Sequence, residues 1–557
     1  MTADSTRTGA HALVDALHAA GVRTIFSLSG NQIMPVYDAV IGRDIRLVHV
    51  RHEAAAVYMA EAWAQLTGEV GVALVTAGAG LGNALGALIS ARASETPVLL
   101  LSGDSARAQD GMGAFQELDQ AAMSRPVAKW SGRAGTAATL AEETARAIAK
   151  ARQGRPGPVH LALPVDALEG PLAESPDAGG LAAALAPGAL PLGVADAARI
   201  AALLAGAERP LVLTGPALSA SRSGDAPARL AAALDAPVLC MESPRGLRDP
   251  SLGALAEVTR AADVVMLLAK APDFTTGFLG SDIGSPDARI VVIDPEAEML
   301  DRAAARLGSR LECAVQADAG AALEALCAAA ASSGAKAGRI AWRNRVDEAT
   351  ARRAPGGADS DGRLHPATLC AAVEARLKAS PGAVLIVDGG EFGQWGQTMH
   401  HTGPRVINGV SGAIGAAPAY AIAASIARPD VPVYALMGDG TAGFLLAEYE
   451  TAVRENTRFV AVIGNDDLWN AEHQIQIRSY GANRTHSCNL TPAARYDLAA
   501  TAFGAFGALV DGGDAEALRV ALQEAEASGR PACVNVVILP APAPVAPSAE
   551  PKAEAVH

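Results

Sequence analysis

The stretch VYALMGDGTAGFLLAEYETAVRENTRFVAVIGNDDLWN, residues 433–470, decides the fold and locates the candidate site. An apolar run ends directly in Gly-Asp-Gly at 438–440, a helix-like segment follows, and a second apolar run ends in Asn-Asp at 465–466. This order is typical of two parallel strands joined by a helix. Because the carboxyl ends of neighbouring parallel strands meet at one edge of a sheet, we expect Asp439 and Asp466 to lie side by side.

The glycines of this stretch indicate a phosphate ligand. Gly438 and Gly440 allow close approach to the backbone, and the start of a helix favours negative charge. A magnesium ion offsets the charge of a diphosphate with hard oxygen ligands, which here would be two carboxylates, a backbone carbonyl, phosphate oxygens and water. The other explanation is a pair of aspartates that cap helices at ordinary strand-to-helix turns.

The same alternation of apolar strands and Ala-rich helices recurs along the whole chain, which is too long for one hydrophobic core. We therefore predict an α/β protein of three successive doubly wound parallel-sheet domains. The predicted domains span residues 1–175, 190–335 and 365–540. The Pro-, Gly- and Ala-rich stretch at about 172–194 is expected to be a linker, and residues 541–557 a disordered tail.

Charge and composition limit the possible partners. The chain of 557 residues has a formal net charge of −14 and a pI near 5.3, which argues against nucleic acid as a partner. Its start has no basic region followed by an apolar run, and no stretch has the length and apolarity of a membrane span. The six cysteines form no C-x-x-C pair. We expect a cytoplasmic protein that acts on a small molecule, without a membrane partner.

The stretch 438–470 resembles the thiamine-diphosphate motif of the superfamily that contains acetolactate synthase, benzaldehyde lyase and 2-hydroxyacyl-CoA lyase. That motif begins with Gly-Asp-Gly and usually ends in Asn-Asn, and the 27 positions from Asp439 to Asp466 (466 − 439) suit its spacing. The resemblance implies that Asp439, Asp466 and the carbonyl of Leu468 bind magnesium. Asp466 stands where the family has its second Asn, and Asn465 would be the ligand if the register slips by one residue.

The run Arg51-His52-Glu53 comes after a strand-like run and opens a helix. By itself, Glu53 is explained as a negative charge at a helix start, where the helix dipole favours it. In the family, a Glu at this point hydrogen-bonds the aminopyrimidine ring and favours the imino tautomer that removes the C2 proton of the thiazolium. A dry pocket keeps that proton shared with the ring. The resemblance therefore implies that Glu53 activates the cofactor, while His52 supports the loop.

Further residues are assigned to the site by the same resemblance. Asn83 ends a Gly-rich turn that fails as a dinucleotide fingerprint, because Asn replaces its third Gly. Phe115 and Gln116 resemble a pair that lines the substrate pocket, which would place them with Glu53 in catalysis; the alternative is a surface loop. Ile414 matches the hydrophobe that props the cofactor, or is a core residue. The other residues expected at the cofactor are Gly412, Gly438, Gly440, Thr441, Asn83 and Glu391. Those expected in the substrate pocket are Asn31, Gln32, Trp469, Glu472 and His473.

The likeness spans essentially the whole chain and implies a role for each domain. These roles are pyrimidine binding at 1–175, a central domain at 190–335 and diphosphate binding at 365–540. The cofactor would lie between the first domain of one subunit and the third of another, so the resemblance implies a homo-oligomer, at least a dimer and commonly a tetramer. Relatives often bind FAD or ADP centrally. Asp294 resembles the residue that meets the adenosine ribose, so this site is expected to be present or vestigial.

The implied chemistry is attack of a cofactor ylide on a carbonyl, followed by carbon–carbon cleavage and formation of an enamine. Ile475 stands where acetolactate synthases carry a Trp, which favours a carbon–carbon lyase or carboligase. Its substrates would be 2-hydroxyacyl compounds, CoA thioesters included, or 2-oxo acids. Acetolactate synthase is the alternative enzyme. A catalytically silent regulatory subunit is the alternative of another class, and Glu53 and Asp439 argue against it.

Overall fold

The computed structural model describes residues 7–174, 177–280, 285–330 and 339–547, which form three parallel sheets in succession. The predicted fold class is confirmed. Within the described residues, no helix is long and apolar enough to cross a membrane. The predicted tail lies outside the described residues from position 548 onward.

The first unit is a six-stranded parallel sheet with helices packed on it. Its elements are α1 (Gly9–Ala19), β1 (Thr24–Ser27), α2 (Met34–Ala39), β2 (Arg46–His49), α3 (Glu53–Thr67), β3 (Gly71–Val75), α4 (Ala79–Ala93), β4 (Val98–Asp104), α5 (Gln120–Ser124), β5 (Trp130–Arg133), α6 (Leu140–Arg152), β6 (Val159–Pro164) and α7 (Val165–Glu169). The strand order is β2-β1-β3-β4-β6-β5.

The stretch interpreted as a linker contains a helix, α8 (Ala178–Leu185). The carboxylate of Asp177 accepts the backbone N–H groups of Gly179 and Gly180, which caps the helix. Leu181 is buried in a small apolar cluster with residues of α1 and α6. The helix is thus held by its cap and by tertiary packing, in spite of its glycines.

The central unit is a five-stranded parallel sheet. Its elements are α9 (Val194–Gly206), β7 (Pro210–Thr214), α10 (Ala220–Ser223), α11 (Ala226–Leu234), β8 (Val238–Cys240), α12 (Leu255–Ala261), β9 (Val264–Leu268), β10 (Arg289–Asp294), α13 (Ala297–Leu307), β11 (Leu311–Gln316), α14 (Ala319–Ala330) and α15 (Arg339–Ala351). The strand order is β11-β10-β9-β7-β8.

The third unit is again a six-stranded parallel sheet. Its elements are α16 (Pro366–Ala379), β12 (Val384–Val387), α17 (Gly390–Gln397), β13 (Arg405–Ile407), α18 (Ala417–Ala427), β14 (Val433–Gly438), α19 (Asp439–Ala442), α20 (Glu448–Arg454), β15 (Val460–Asn465), α21 (Asn470–Tyr480), α22 (Tyr496–Ala502), β16 (Phe506–Val510), α23 (Ala515–Ala527) and β17 (Ala532–Val537). The order β13-β12-β14-β15-β17-β16 matches that of the first unit, strand for strand.

One hydrophobic core joins the first and third units. Helix α3 packs on α18, and buried residues of both sheets belong to a single apolar cluster. Both helices are rich in Ala, so their backbones can approach closely. The rings of Tyr58 and Tyr420 meet edge to face with centroids 5.7 Å apart.

A buried carboxyl group lies inside this helix contact. Glu61 of α3 accepts hydrogen bonds from the hydroxyls of Tyr420 (2.8 Å) and Ser94 (2.5 Å). Burial raises the pKa of Glu61 to about 7. Its charged form is therefore disfavoured in the folded protein near neutral pH.

We predict that Glu61→Gln makes stability less sensitive to pH. Because the folded-state pKa is raised, the contribution of Glu61 to stability is full below about pH 4.5 and is lost as the pH rises through about 7. The free energy of unfolding of the variant, relative to the wild type, should rise by about 1–3 kcal/mol between roughly pH 5 and pH 8. Urea unfolding at both pH values measures this change, with the exposed Glu524→Gln as control. An equal pH dependence in the variant and the wild type would contradict the assignment.

Candidate active site

Two aspartates lie together at the carboxyl edge of the third sheet. Strands β14 and β15 pair in parallel with Gly438 opposite Gly464, so the residues that come after them emerge at the same edge. Asp439 and Asp466 line one cavity there, together with Leu468. The structure therefore brings the two residues together at one cavity.

The environment of this pair fits a divalent cation. Asp439 is 2% exposed, and its Oδ2 has no hydrogen-bond partner among the described residues. Burial raises the pKa of Asp439 to about 6, and burial together with the charge of Asp439 raises the pKa of Asp466 to about 8. Two buried like charges are unfavourable unless a cation lies between them.

No group of three or more His, Cys, Asp or Glu side chains suited to a metal occurs in the described part of the chain. A metal at this pair would therefore take its remaining ligands from backbone oxygens, from a bound ligand or from water. Magnesium tolerates such a shell, since it commonly keeps few protein carboxylates.

Glycines leave space beside the carboxylates. Gly412 has a φ of +70°, and a Cβ built there would meet no atom within 4 Å. A Cβ on Gly438 would meet only the Thr441 hydroxyl, at 4.0 Å, so the backbone is open to a ligand. The same cavity is lined by other residues expected at the site, namely Ile414, Glu391, Gly440, Trp469 and Glu472.

Asp388, a residue that was not predicted from the sequence, holds the loop that carries Gly412 and Ile414. It comes directly after β12 and accepts the backbone N–H groups of Gly415 (3.0 Å) and Ala417 (3.0 Å). It is 1% exposed, and burial raises its pKa. A signal for it was present, because Asp388 stands after an apolar run and before two glycines, as Asp439 stands after a strand and before Gly440.

A second cluster lies in the first unit around Glu53. Glu53 begins α3, is 8% exposed, and its Oε2 accepts a hydrogen bond from Asn83 Nδ2 at 2.9 Å. A Cβ on Gly80 would lie 3.5 Å from Glu53 Oε1, so Gly at this position leaves that oxygen accessible. The His52 ring accepts the N–H of Ala54 and caps α3, in keeping with its expected role as loop support.

Polar side chains of the same unit hold the loop predicted to line the substrate pocket. Thr76 donates to Gln32 Oε1 (2.7 Å), and Gln32 Nε2 donates to Gln116 Oε1 (2.9 Å). Gln116 has a left-handed φ of 60°, and its neighbour Phe115 is 73% exposed. Asn31 begins the short 3-10 helix that carries Gln32.

The structure keeps the two clusters apart within one chain. The described residues that line the cavity at Asp439 include none of the first unit. They do include Arg245 of the central unit, for which the sequence offered no signal. His473 comes directly after Glu472 on α21 but does not line this cavity. The candidate residues of one chain therefore form two separate sets.

Family models match all three units. The description "Thiamine pyrophosphate enzyme" applies to an N-terminal TPP binding domain at residues 7–123, a central domain at 197–326 and a C-terminal TPP binding domain at 388–536. The chain belongs to the thiamine pyrophosphate enzyme family. The sequence-based resemblance to this family is confirmed.

Curated members of the thiamine pyrophosphate enzyme family match over almost the full length. A probable acetolactate synthase of Mycobacterium bovis is 33% identical over 542 residues, which cover 94% of each chain. The 2-hydroxyacyl-CoA lyase 2 of Bos taurus is 32% identical, over 96% of this chain and 90% of the relative. The solved thiamine diphosphate-dependent 4-hydroxybenzoylformate decarboxylase of Rhodococcus jostii RHA1 superposes with a TM-score of 0.78 at 23% identity, covering 96% of this chain and 99% of that chain, and thus shares the fold.

Asp294, the residue of the central unit expected to bind a nucleotide, forms an ion pair with an arginine of the first unit. Asp294 ends β10, is fully buried, and pairs with the guanidinium of Arg155 at 2.5 Å. Arg155 also pairs with Glu95. A nucleotide ribose could reach the Asp294 carboxylate only by sharing or displacing this ion pair.

We predict that Asp466→Asn stabilises the ligand-free protein. The substitution removes one of two buried carboxylates, while the amide oxygen can still accept from Asn470, whose Nδ2 lies 2.8 Å from Asp466. We expect about 1–2 kcal/mol more unfolding free energy at alkaline pH in EDTA, where the Asp466 charge is most costly. Urea unfolding measures it, with the exposed strand-end Asp511→Asn as control. A variant less stable than the wild type would contradict the proposed repulsion between the Asp439 and Asp466 carboxylates.

Proposed function

We propose that this thiamine pyrophosphate enzyme is a carbon–carbon lyase or carboligase that acts on 2-hydroxyacyl compounds, CoA thioesters included, or on 2-oxo acids. The observation that carries the proposal is the buried pair Asp439 and Asp466, with an unpartnered carboxylate oxygen at a Gly-lined cavity of the described residues. Relatives named 2-hydroxyacyl-CoA lyase and acetolactate synthase support this range of reactions.

In this proposal, Asp439, Asp466 and the carbonyl of Leu468 hold Mg²⁺, and the backbone at Gly438 and the Thr441 hydroxyl face the diphosphate. When bound, thiamine diphosphate would supply a nucleophilic C2 carbon and an electron sink in its cationic thiazolium ring. Asp439 and Asp466 would hold the cation between their carboxylates, and binding would relieve the repulsion within the pair.

Glu53 is proposed to hold the proton that the aminopyrimidine ring shares. Asn83 fixes one carboxylate oxygen at 2.9 Å, and Gly80 leaves the other open toward a ligand. The side chain is nearly buried, which limits exchange of its proton with water. Gln116, held by Gln32, would then face the substrate from the same side.

We further propose that the enzyme is a homo-oligomer, a dimer at the least and a tetramer when fully assembled, in which Glu53 of one subunit completes the cavity at Asp439 of another. The separation of the two clusters within one chain supports it. Six unpaired cysteines support a cytoplasmic location. FAD or ADP at Asp294 stays a prediction, and its ribose would have to share or displace the ion pair of Asp294 with Arg155.

Acetolactate synthase is the second candidate function, because mycobacterial relatives with that name are 33% identical. Ile475, which stands where a Trp is expected in those enzymes, is 50% exposed on α21. The choice is tested by comparing condensation of pyruvate with cleavage of a 2-hydroxyacyl-CoA by the same preparation. Rapid formation of acetolactate from pyruvate without cleavage of the 2-hydroxyacyl-CoA would refute the preference over acetolactate synthase.

We predict that Glu53→Gln abolishes turnover and leaves the cofactor bound. The amide keeps the shape of the side chain and cannot exchange a proton with the ring, so we expect a loss of at least about 100-fold in kcat. Steady-state assays measure the loss, and quenching of fluorescence from Trp469, which lines the cavity, reports cofactor binding. The exposed Glu142→Gln is the control. Unchanged turnover would rule out the proposed role of Glu53.

We predict that two inactive variants complement each other. A Glu53→Gln chain and an Asp439→Asn chain, co-expressed with different tags, should form mixed dimers with one intact site each. Random association then gives about a quarter of the wild-type activity. Chains that all carry Glu53→Gln, with the same two tags, are the control and should stay inactive. Failure of purified mixed dimers to turn over substrate would contradict a shared site.

A further inference from the structure

A buried side chain of the third unit holds the backbone turn that leads to Glu53. Glu448 Oε1 accepts the backbone N–H groups of Arg51 (2.9 Å) and His52 (3.0 Å), the two residues that precede Glu53. Its other oxygen accepts the hydroxyl of Thr451 at 2.7 Å. Glu448 is 1% exposed, although it is the first residue of α20.

The simpler explanation for Glu448 is a negative charge that favours a helix start. That explanation does not require burial, nor contacts outside its own helix. Within the described residues, Glu448 forms no salt bridge, and burial raises its pKa. A buried carboxyl group without a cation is costly, and its hydrogen bonds to Arg51, His52 and Thr451 must offset that cost.

Other contacts hold β2, the strand that leads into this turn, against α20 and the residue that follows it. Arg454 of α20 donates to the carbonyl of His49, the last residue of β2. Arg46, the first residue of β2, pairs at 2.6 Å with Glu455, which comes directly after α20. Three residues, at 50–52, connect β2 to α3. In so short a connection, fixing two N–H groups fixes the direction in which the first side chain of α3 leaves the backbone.

We propose that Glu448 is a positioning residue that orients Glu53 through the backbone of Arg51 and His52. The proposal rests on the proposed role of Glu53 in activating thiamine diphosphate. It assigns to α20 a function in the chemistry of the first unit, because α20 belongs to the third unit and is joined to the Asp439 turn by a short loop.

Two substitutions separate the effect of the length of the Glu448 side chain from the effect of its charge. Glu448→Gln keeps an acceptor oxygen at the same distance and loses the charge, whereas Glu448→Asp keeps the charge at the helix start and withdraws the oxygens by one methylene. The measurement is the rate at which the C2 proton of bound thiamine diphosphate exchanges with deuterium, followed by NMR after acid quench at saturating cofactor. The dissociation constant of thiamine diphosphate and the melting temperature are measured beside it.

A positioning role predicts that Glu448→Asp slows C2 exchange by about 10-fold or more with little change in cofactor affinity, and that Glu448→Gln exchanges at close to the wild-type rate. If only the charge at the helix start matters, Glu448→Gln melts lower and Glu448→Asp exchanges normally, which would overturn the proposal. The matched control is Glu516, an exposed first-turn residue of α23, whose Asp and Gln variants should exchange as the wild type does.

Glu53→Gln in the same experiment distinguishes failure of the positioning role from failure of the proposed function. Normal C2 exchange in Glu53→Gln would remove the proposed function itself. Loss of exchange in Glu53→Gln together with normal exchange in Glu448→Asp would leave that function in place and overturn the positioning role alone.

Discussion

The packing of α3 on α18 is the contact on which the rest of the structure depends. Each helix comes after the second strand of its sheet, and the two sheets have the same strand order, so the contact joins equivalent faces of two similar units. Glu53 begins α3, and the loop with Gly412 and Ile414 leads into α18. Because one core fixes both helices, both sets of candidate residues are built on a rigid frame.

The second constraint is the repulsion between two buried carboxylates. Asp439 and Asp466 emerge from neighbouring strands and are buried where their charges oppose each other. Under the proposed function, an oxygen-rich ligand and a cation would convert this repulsion into coordination. Stability and cofactor binding would then be linked, and we expect the protein without its ligands to be the less stable form.

Features that depend on local order in the chain could be predicted from the sequence. Asp439 and Asp466 were found from a strand–helix–strand pattern, because parallel strands bring their carboxyl ends to one edge. Glu53 required the resemblance, since a Glu at a helix start has an ordinary explanation. Glu448 was missed for a different reason: its partner Arg51 is 397 positions away in the chain, and no local pattern reports that contact.

The central unit, unlike the first and third units, shares no apolar core with its neighbours among the described residues. Its two apolar clusters contain only its own residues, whereas its borders carry polar contacts such as Arg155 with Asp294, Arg405 with Glu242, and Ser243 with Gln397. Because none of the apolar clusters of the described residues crosses these borders, we expect that this unit can open or be replaced as a module without disrupting the core of its neighbours. Sequence divergence and the gain or loss of a regulatory ligand are therefore best tolerated there.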